Sequence, residues 1–511
     1  MRFDIVIKDG LVIDGTGGPG KIGDIGIVAD RIEAIGDLSG AEAKMVLEAA
    51  GKVVCPGFID VHVHSELALL GGIDQYAPLR MGVTTQLASP DGFSWAPMTK
   101  ARLWEQKAYL HVFYDDALID ESGDMPLDRY LGMFRGKLPS NLALQVPHGS
   151  IRVEVMGWEG GTATEDQLVQ MELRAREWME AGALAFCTGL EYEPMRQANL
   201  NELVRLSKVA AEYGGIYVAH QRGYADRVRV GCRETFAIAE QVDIPVHISH
   251  LAVDEAAAAQ LEEANARGID VTFDMYPYPA GCTHLLMGLP EALQTGSPEQ
   301  VMERIGRKSI RREYADQLAR AFPLDRFRFA AVGTEEPSGW EGKSLGEVQR
   351  ELGMDLPDTI CEILLRTKLQ ALMVYHWPED RYPYLESTFK HRSHMIGTDG
   401  VYVGRRPHPR GFGTYPKVLG QFVREAKWIS LEQAIFKMSG FPAQTFHIKN
   451  RGVLASNYYA DIVIFDPAVV DGPATFDEPR QTPVGMETVI VNGRVVVSRG
   501  EIRQGFYGRI L

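Results

Sequence analysis

The residues most able to do chemistry here are histidines placed where strands should end. The sharpest stretch is Pro56-Gly57-Phe58-Ile59-Asp60-Val61-His62-Val63-His64. Residues at i and i+2 of a strand point to one face. At the C-terminal end of a barrel strand, that face is the mouth in which barrel enzymes keep their sites. Neutral imidazole is a common ligand for zinc and similar ions. The pair alone is equally compatible with two surface histidines in a β segment. Further ligand types recur at strand ends, however. His220 closes Ile216-Tyr217-Val218-Ala219-His220, His250 closes Pro245-Val246-His247-Ile248-Ser249-His250, and Asp399 lies in Met395-Ile396-Gly397-Thr398-Asp399-Gly400. One strand-end histidine is ordinarily structural, but four with an aspartate predict a metal centre. A zinc ion or a pair of hard cations would lower the pKa of water towards 7 and polarise a carbonyl. Asp399 could then take a proton from attacking water and return it to a departing amine. The chemistry expected is hydrolysis of an amide.

Such ligands need a frame that delivers them to one place, and the middle of the chain reads as one. Apolar strands alternate with amphipathic helices: about Thr164 to Ala181, opened by a Thr164/Gln167 capping box, about Asn201 to Tyr213, and Asp254 to Arg267. Repeated β-helix-β units with buried strands mean a parallel sheet. About eight such strands favour closure into a (β/α)8 TIM-like barrel over 57–446, in the α/β class. The rhythm breaks near 290–353, which is expected to be an insertion. The two ends differ from the middle. Phe3, Ile5 and Ile7 alternate near the start, and Thr488-Val489-Ile490-Val491-Asn492-Gly493-Arg494 carries a strong hairpin turn near the end. Residues 1–56 and 447–511 are therefore expected to form one domain of short antiparallel strands.

Composition narrows the partners. The 511 residues are 45% hydrophobic and 24% charged, with a formal net charge of −15. An acidic chain is a poor match for nucleic acid or an anionic membrane, although a local arginine can still hold an anionic small molecule. No apolar run approaches the roughly 18 residues of a membrane helix. The start of the chain does not read as a signal peptide. Five scattered cysteines without a CxxC fit a reducing, cytoplasmic compartment. The expected partner is a small N-acyl or amide molecule, with a homo-oligomer possible.

Gly57-Phe58-Ile59-Asp60-Val61-His62-Val63-His64 resembles the first-strand motif of the amidohydrolase superfamily. More narrowly, the chain resembles the N-acyl-D-amino-acid deacylases (D-aminoacylases). This rests on Gly82-Val83-Thr84-Thr85, Thr188-Gly189-Leu190-Glu191-Tyr192-Glu193-Pro194, Ile248-Ser249-His250-Leu251, Tyr276-Pro277-Tyr278, and the stretch from His408-Pro409-Arg410 to Gly420. The resemblance implies a barrel with a small β-sandwich made from both termini. It implies one metal position served by His62, His64 and Asp399, and a second served by His220 and His250. The family completes the second with a cysteine, where this chain has Asp91. A carboxylate is harder than thiolate, so zinc, in one or two positions, could give way to Mn or Co. The resemblance also implies that Arg410 grips a substrate carboxylate and that Tyr192 and Tyr276 line the pocket. His148, at the end of the third strand, is expected to face it too. Two positions depart from the pattern: Ala252 stands in place of a lysine and Cys282 in place of a serine. The first removes one of two cationic contacts to a substrate carboxylate.

Three other readings compete. A dihydropyrimidinase-like hydrolase of cyclic amides often uses a carbamylated lysine, and the fourth strand, Ala183 to Leu190, has none. A deaminase would want a glutamate soon after His220, where Gln221-Arg222-Gly223 follows. A non-catalytic scaffold would be expected to lose its ligands, which are retained here.

Overall fold

The computed structural model describes residues 2–320, 324–333 and 339–511. Met1 and the parts of the expected insertion at 321–323 and 334–338 lie outside the described residues.

Among the described residues, eight strands run parallel through the middle of the chain. The first is Phe58–Asp60, extended by Val63–His64; the second Val83–Leu87; the third Asn141–Ala143 with Val146–Pro147. Ala185–Gly189, Ile216–His220, Val246–Ile248 and Val271–Asp274 follow, and the eighth is His394–Met395, extended by Gly400–Val401. Each pairs with the next in parallel register, as in Ile59↔Thr85, Thr85↔Asn141 and Val146↔Phe186. The eighth pairs with the first through Gly400↔Val63. Ala185–Gly189 and Ile216–His220 are buried at every residue. Such strands need apolar side chains on both faces and covering helices.

The helices start where side-chain chemistry allows. Glu165–Glu180 opens on Thr164, whose side chain and that of Gln167 cap each other's backbone N–H. Leu200–Glu212 and Glu255–Ala266 are capped by Asn199 and Asp254. Among the described residues, no helix is long and apolar enough to cross a membrane.

Between the seventh and eighth strands the rhythm stops over a wider range than 290–353. Ala280–His284, Ala371–His376 and Phe327–Val332 form a three-stranded antiparallel sheet in that order. Helices fill the segments between them.

The two ends meet in one nine-stranded sheet. Val53–Pro56 pairs with Ile462–Phe465, which joins the N-terminal strands to the C-terminal ones. Asn492-Gly493 makes the expected two-residue hairpin turn, with both residues at positive φ. The expectation of antiparallel strands throughout does not hold. Arg2–Val12 is antiparallel to Lys21–Val28 but parallel to Glu42–Glu48 and Val53–Pro56. Alternating hydrophobicity reports which face of a strand is buried, not the direction of its neighbour.

Candidate active site

The first and eighth strands are pinned together where they leave the sheet. Asp399 N–H donates to His62 O at 2.7 Å. Asp60 accepts from the backbone N–H and the hydroxyl of Thr398, at 2.9 and 2.6 Å. This brings His62, His64 and Asp399 together: Asp399 Oδ1 lies 3.7 Å from His62 Nε2 and 3.5 Å from His64 Nε2. Asp91 enters after the second strand. Its Oδ1 lies 3.5 Å from His62 Nε2 and 3.7 Å from His220 Nδ1, and its Oδ2 3.6 Å from His64 Nε2. His250 Nε2 sits 3.0 Å from His220 Nδ1. The six residues form one cluster, buried except for His250, which is half-buried.

Backbone strain marks the cluster. Ser89, Asp91, His250 and Asp399 all have positive φ, a region that non-glycine residues enter at a cost and hold where the surroundings over-determine it. Gly189 makes room for this, since a Cβ there would lie 2.7 Å from Asp91 O.

Electrostatics separates the two carboxylates. Burial works against the charge of Asp399, but Arg410, followed by His64 and His62, holds its carboxyl well below the usual range. Burial pushes Asp91 up to about 6, against the pull of His220 and His64. Burial also lowers the His62 and His250 imidazoles, the latter to about 3. In His220 burial is outweighed only by the Glu191 hydrogen bond together with the charges of Asp91, Glu191 and Asp399, which raise the imidazole.

The cluster fits a metal ion on its donor chemistry. Ligand atoms of His62, His64 and Asp399 lie within 4.8 Å of one another, as do those of His62, Asp91 and His250. His62 Nε2 and Asp91 Oδ1 are buried without a hydrogen-bond partner. Buried polar atoms are ordinarily satisfied, so orphans facing one another imply a missing shared partner.

Arg410 stands beside this cluster, wholly buried. One guanidinium nitrogen pairs with Asp399 Oδ2 at 2.8 Å, while Nε and Nη2 have no hydrogen-bond partner. The guanidinium carbon lies 4.6 Å from the centre of the Tyr276 ring. Tyr192 packs on His220, ring centres 4.9 Å apart, with its hydroxyl 3.3 Å from Thr283 Oγ1. Both tyrosines therefore border the cluster.

The expectation that His148 faces the pocket fails on this geometry. Its Nδ1 is 2.7 Å from Thr188 Oγ1 and its Nε2 2.9 Å from Glu202 Oε1. It is the first residue of the helix His148–Met156, and it meets Glu202 on the helix Leu200–Glu212. With both ring nitrogens engaged, it has none left for a ligand.

Three partners escaped the sequence reading. Glu191 Oε2 lies 3.2 Å from His220 Nε2, which leaves Nδ1 for the cluster. Asp274 accepts from His250 N–H at 3.1 Å and lies 2.9 Å from His247 Nε2. Tyr114 OH is 3.1 Å from His64 Nδ1. Carboxylates that orient ligand histidines are a regular feature of metal sites. Asp274 ends a strand and Glu191 sits in the Thr188–Pro194 stretch, so the strand-end logic that found the histidines could have found both.

Residues 362–497 match the amidohydrolase family. A D-aminoacylase from Alcaligenes xylosoxydans xylosoxydans is 33% identical over 100% of this chain and 97% of its own. An N-acyl-D-glutamate deacylase from the same organism is 32% identical, over 97% and 94%. The crystal structure of the N-acyl-D-glutamate deacylase of Bordetella bronchiseptica, complexed with zinc and a phosphonate mimic of the tetrahedral intermediate, superposes with a TM-score of 0.84 at 30% identity, covering all of both chains. With relatives alike over their whole length, the chain belongs to the D-aminoacylase family of amidohydrolases.

Proposed function

We propose that this protein deacylates N-acyl-D-amino acids, hydrolysing a non-peptide C–N bond with the help of divalent metal. The closed cycle of strand pairings is read as a (β/α)8 barrel over 57–446, its insertion lying between the seventh and eighth strands. Residues 1–56 and 447–511 are read as the β-sandwich domain. His62, His64 and Asp399 would hold one ion, and Asp91, His220 and His250 a second. Zinc suits this donor set, and the carboxylate at Asp91 also admits Mn or Co. When bound, such an ion polarises the amide carbonyl and makes water easier to deprotonate.

The chain's own residues do the rest. Asp399, held ionised by its neighbours, accepts a proton from water as the water oxygen bonds to the acyl carbon. It returns that proton to the nitrogen as the C–N bond breaks, releasing a carboxylic acid and an amine. Glu191 and Asp274 orient His220 and His250. Arg410 receives the carboxylate of the amino-acid portion, and Tyr276 keeps its guanidinium in place. Tyr192 walls the site next to His220. The five cysteines are all free thiols, in keeping with a cytoplasmic location.

The observation that carries this reading is the Arg410 guanidinium, wholly buried, paired with Asp399 through one nitrogen and without a hydrogen-bond partner at Nε and Nη2. Buried N–H groups left so are costly unless a ligand completes them. A cyclic-amide substrate would supply no carboxylate to do so. The test is a hydrolysis screen on metal-analysed enzyme, with N-acetyl amino acids of both hands and their carboxamides. The D-acids should be cleaved in preference to L-acids and carboxamides. Preference for the neutral carboxamides would refute carboxylate recognition.

A further inference from the structure

A cavity of about 650 Å³ has one residue of the ligand cluster, His64, among those that line it, together with Phe113 and Tyr114, which pack on and hydrogen-bond to the His64 ring. Leu67, Val112 and Val332 make its buried sides, and Ile73 and Leu118 stand among its outer residues. Those two are 87% and 51% exposed, so the opening of the cavity presents apolar side chains. The charged groups on the wall are largely committed to one another. Arg480 pairs with Asp74 at 2.9 Å, Arg405 with Glu341 at 3.6 Å and His111 with Asp116 at 2.9 Å, so among the described residues each cationic side chain that lines the cavity has a carboxylate partner.

The position of the cavity relative to Arg410 gives it a role. His64 approaches Oδ1 of Asp399 and Arg410 approaches Oδ2. The two therefore flank opposite oxygens of the carboxylate that handles the proton. Arg410 is not among the residues lining the cavity. A substrate whose amide lies at Asp399 and whose carboxylate meets Arg410 would extend its other end, the acyl group, past His64. A water takes up about 30 Å³ of liquid, so this space holds on the order of twenty groups of that size, where an acetyl group would fill only a few.

We infer that the cavity beside His64 is an acyl-binding site, and that the preferred substrates carry a long apolar acyl group of about six to ten carbons. The inference rests on the deacylase reading and adds the class of its acyl portion. Hydrophobic burial then enters recognition, each methylene raising kcat/KM about fourfold while it stays inside.

The test compares N-acetyl-, N-hexanoyl- and N-decanoyl-D-amino acids on the metal-loaded enzyme, together with N-acetyl-D-amino acids of increasing side-chain length. Hexanoyl should exceed acetyl on the order of two-hundredfold in kcat/KM. Ala68→Trp, which fills the cavity from its wall, should lower the hexanoyl-to-acetyl ratio at least about tenfold. Leu118→Asp changes an exposed residue and so leaves folding intact; it should lower the decanoyl-to-acetyl ratio. Equal or better cleavage of acetyl compounds would overturn the inference while leaving the deacylase reading standing. So would a loss, in Ala68→Trp, of side-chain rather than acyl-chain selectivity. Failure to cleave any N-acyl amino acid would overturn the deacylase reading and this inference with it.

Discussion

Two buried clusters in this molecule each combine histidine, carboxylate and arginine, and they are finished differently. In the first, His148 spends one ring nitrogen on Thr188 and the other on Glu202, and Arg152 Nε faces the same Glu202 at 3.1 Å. In the second, Arg410 pairs with Asp399 at 2.8 Å, but His62 Nε2 and Asp91 Oδ1 have no hydrogen-bond partner, and the backbone at Asp91, His250 and Asp399 is left-handed. Residue types are nearly the same in both. What separates them is the histidine and the backbone, not the arginine, since Arg152 Nε and Glu202 Oε2 also lack a hydrogen-bond partner. A histidine engaged through both ring nitrogens holds the fold together, whereas a ring nitrogen and a carboxylate oxygen that face each other unpartnered on strained backbone leave a place for metal.

The sharpest way to break this contrast is at Asp399. Asp399→Asn keeps the shape but removes the titratable oxygen, so kcat should fall about 10²–10⁴-fold. Near-normal turnover by a variant that still carries metal would take Asp399 out of proton transfer. Next comes Arg410→Lys, which keeps the charge but loses the planar fork; kcat/KM for N-acyl-D-amino acids should fall by about 1–3 kcal/mol. Ala252→Lys should act in the opposite sense, restoring a second cationic contact and raising kcat/KM for the acids but not their carboxamides.

The finished cluster predicts the reverse pattern. His148→Gln should cost about 1–3 kcal/mol in denaturant unfolding yet leave the kcat of the folded enzyme unaltered. Lost turnover without lost stability would move His148 back into the site. There is a pH signature as well. Burial, against the pull of Glu202, holds the native His148 imidazole below its ordinary 6.5. As pH falls through 6.5 the unfolded chain takes up a proton there that the native state does not, so this component of stability declines on acidification. The component should be missing from the pH–stability curve of His148→Gln. The smallest effect expected is at Asp91→Cys, where a softer donor should shift binding towards zinc and away from manganese. Metal competition followed by elemental analysis measures it, and an unchanged selectivity would argue against Asp91 as a ligand.

The histidines were legible because strand periodicity and strand ends are written locally. His62 and His64 share a face by their spacing alone, and His220 and His250 close recognisable apolar runs. His148 also ends a strand, but it begins a helix at the same residue, and its direction depends on Glu202, 54 residues further along. Asp274 was passed over for a related reason: its importance lies in contacts to His247 and His250, not in its own surroundings in the chain. The capping box at Thr164 and the turn at Asn492-Gly493 were readable, being short-range chemistry. The parallel pairing of Arg2–Val12 with Glu42–Glu48 and Val53–Pro56 was not, since strand direction leaves no trace in hydrophobic alternation.

The sheet that joins both ends has a consequence for how the molecule is made. Val53–Pro56 leaves the ribosome early, while its partner Ile462–Phe465 follows about 400 residues later. At synthesis rates of about 5–20 residues per second, that strand edge waits on the order of tens of seconds for its neighbour. During that interval it offers unpaired backbone to any other nascent strand. A chain halted before Ile462 should therefore be prone to aggregation even with all eight parallel strands already synthesised.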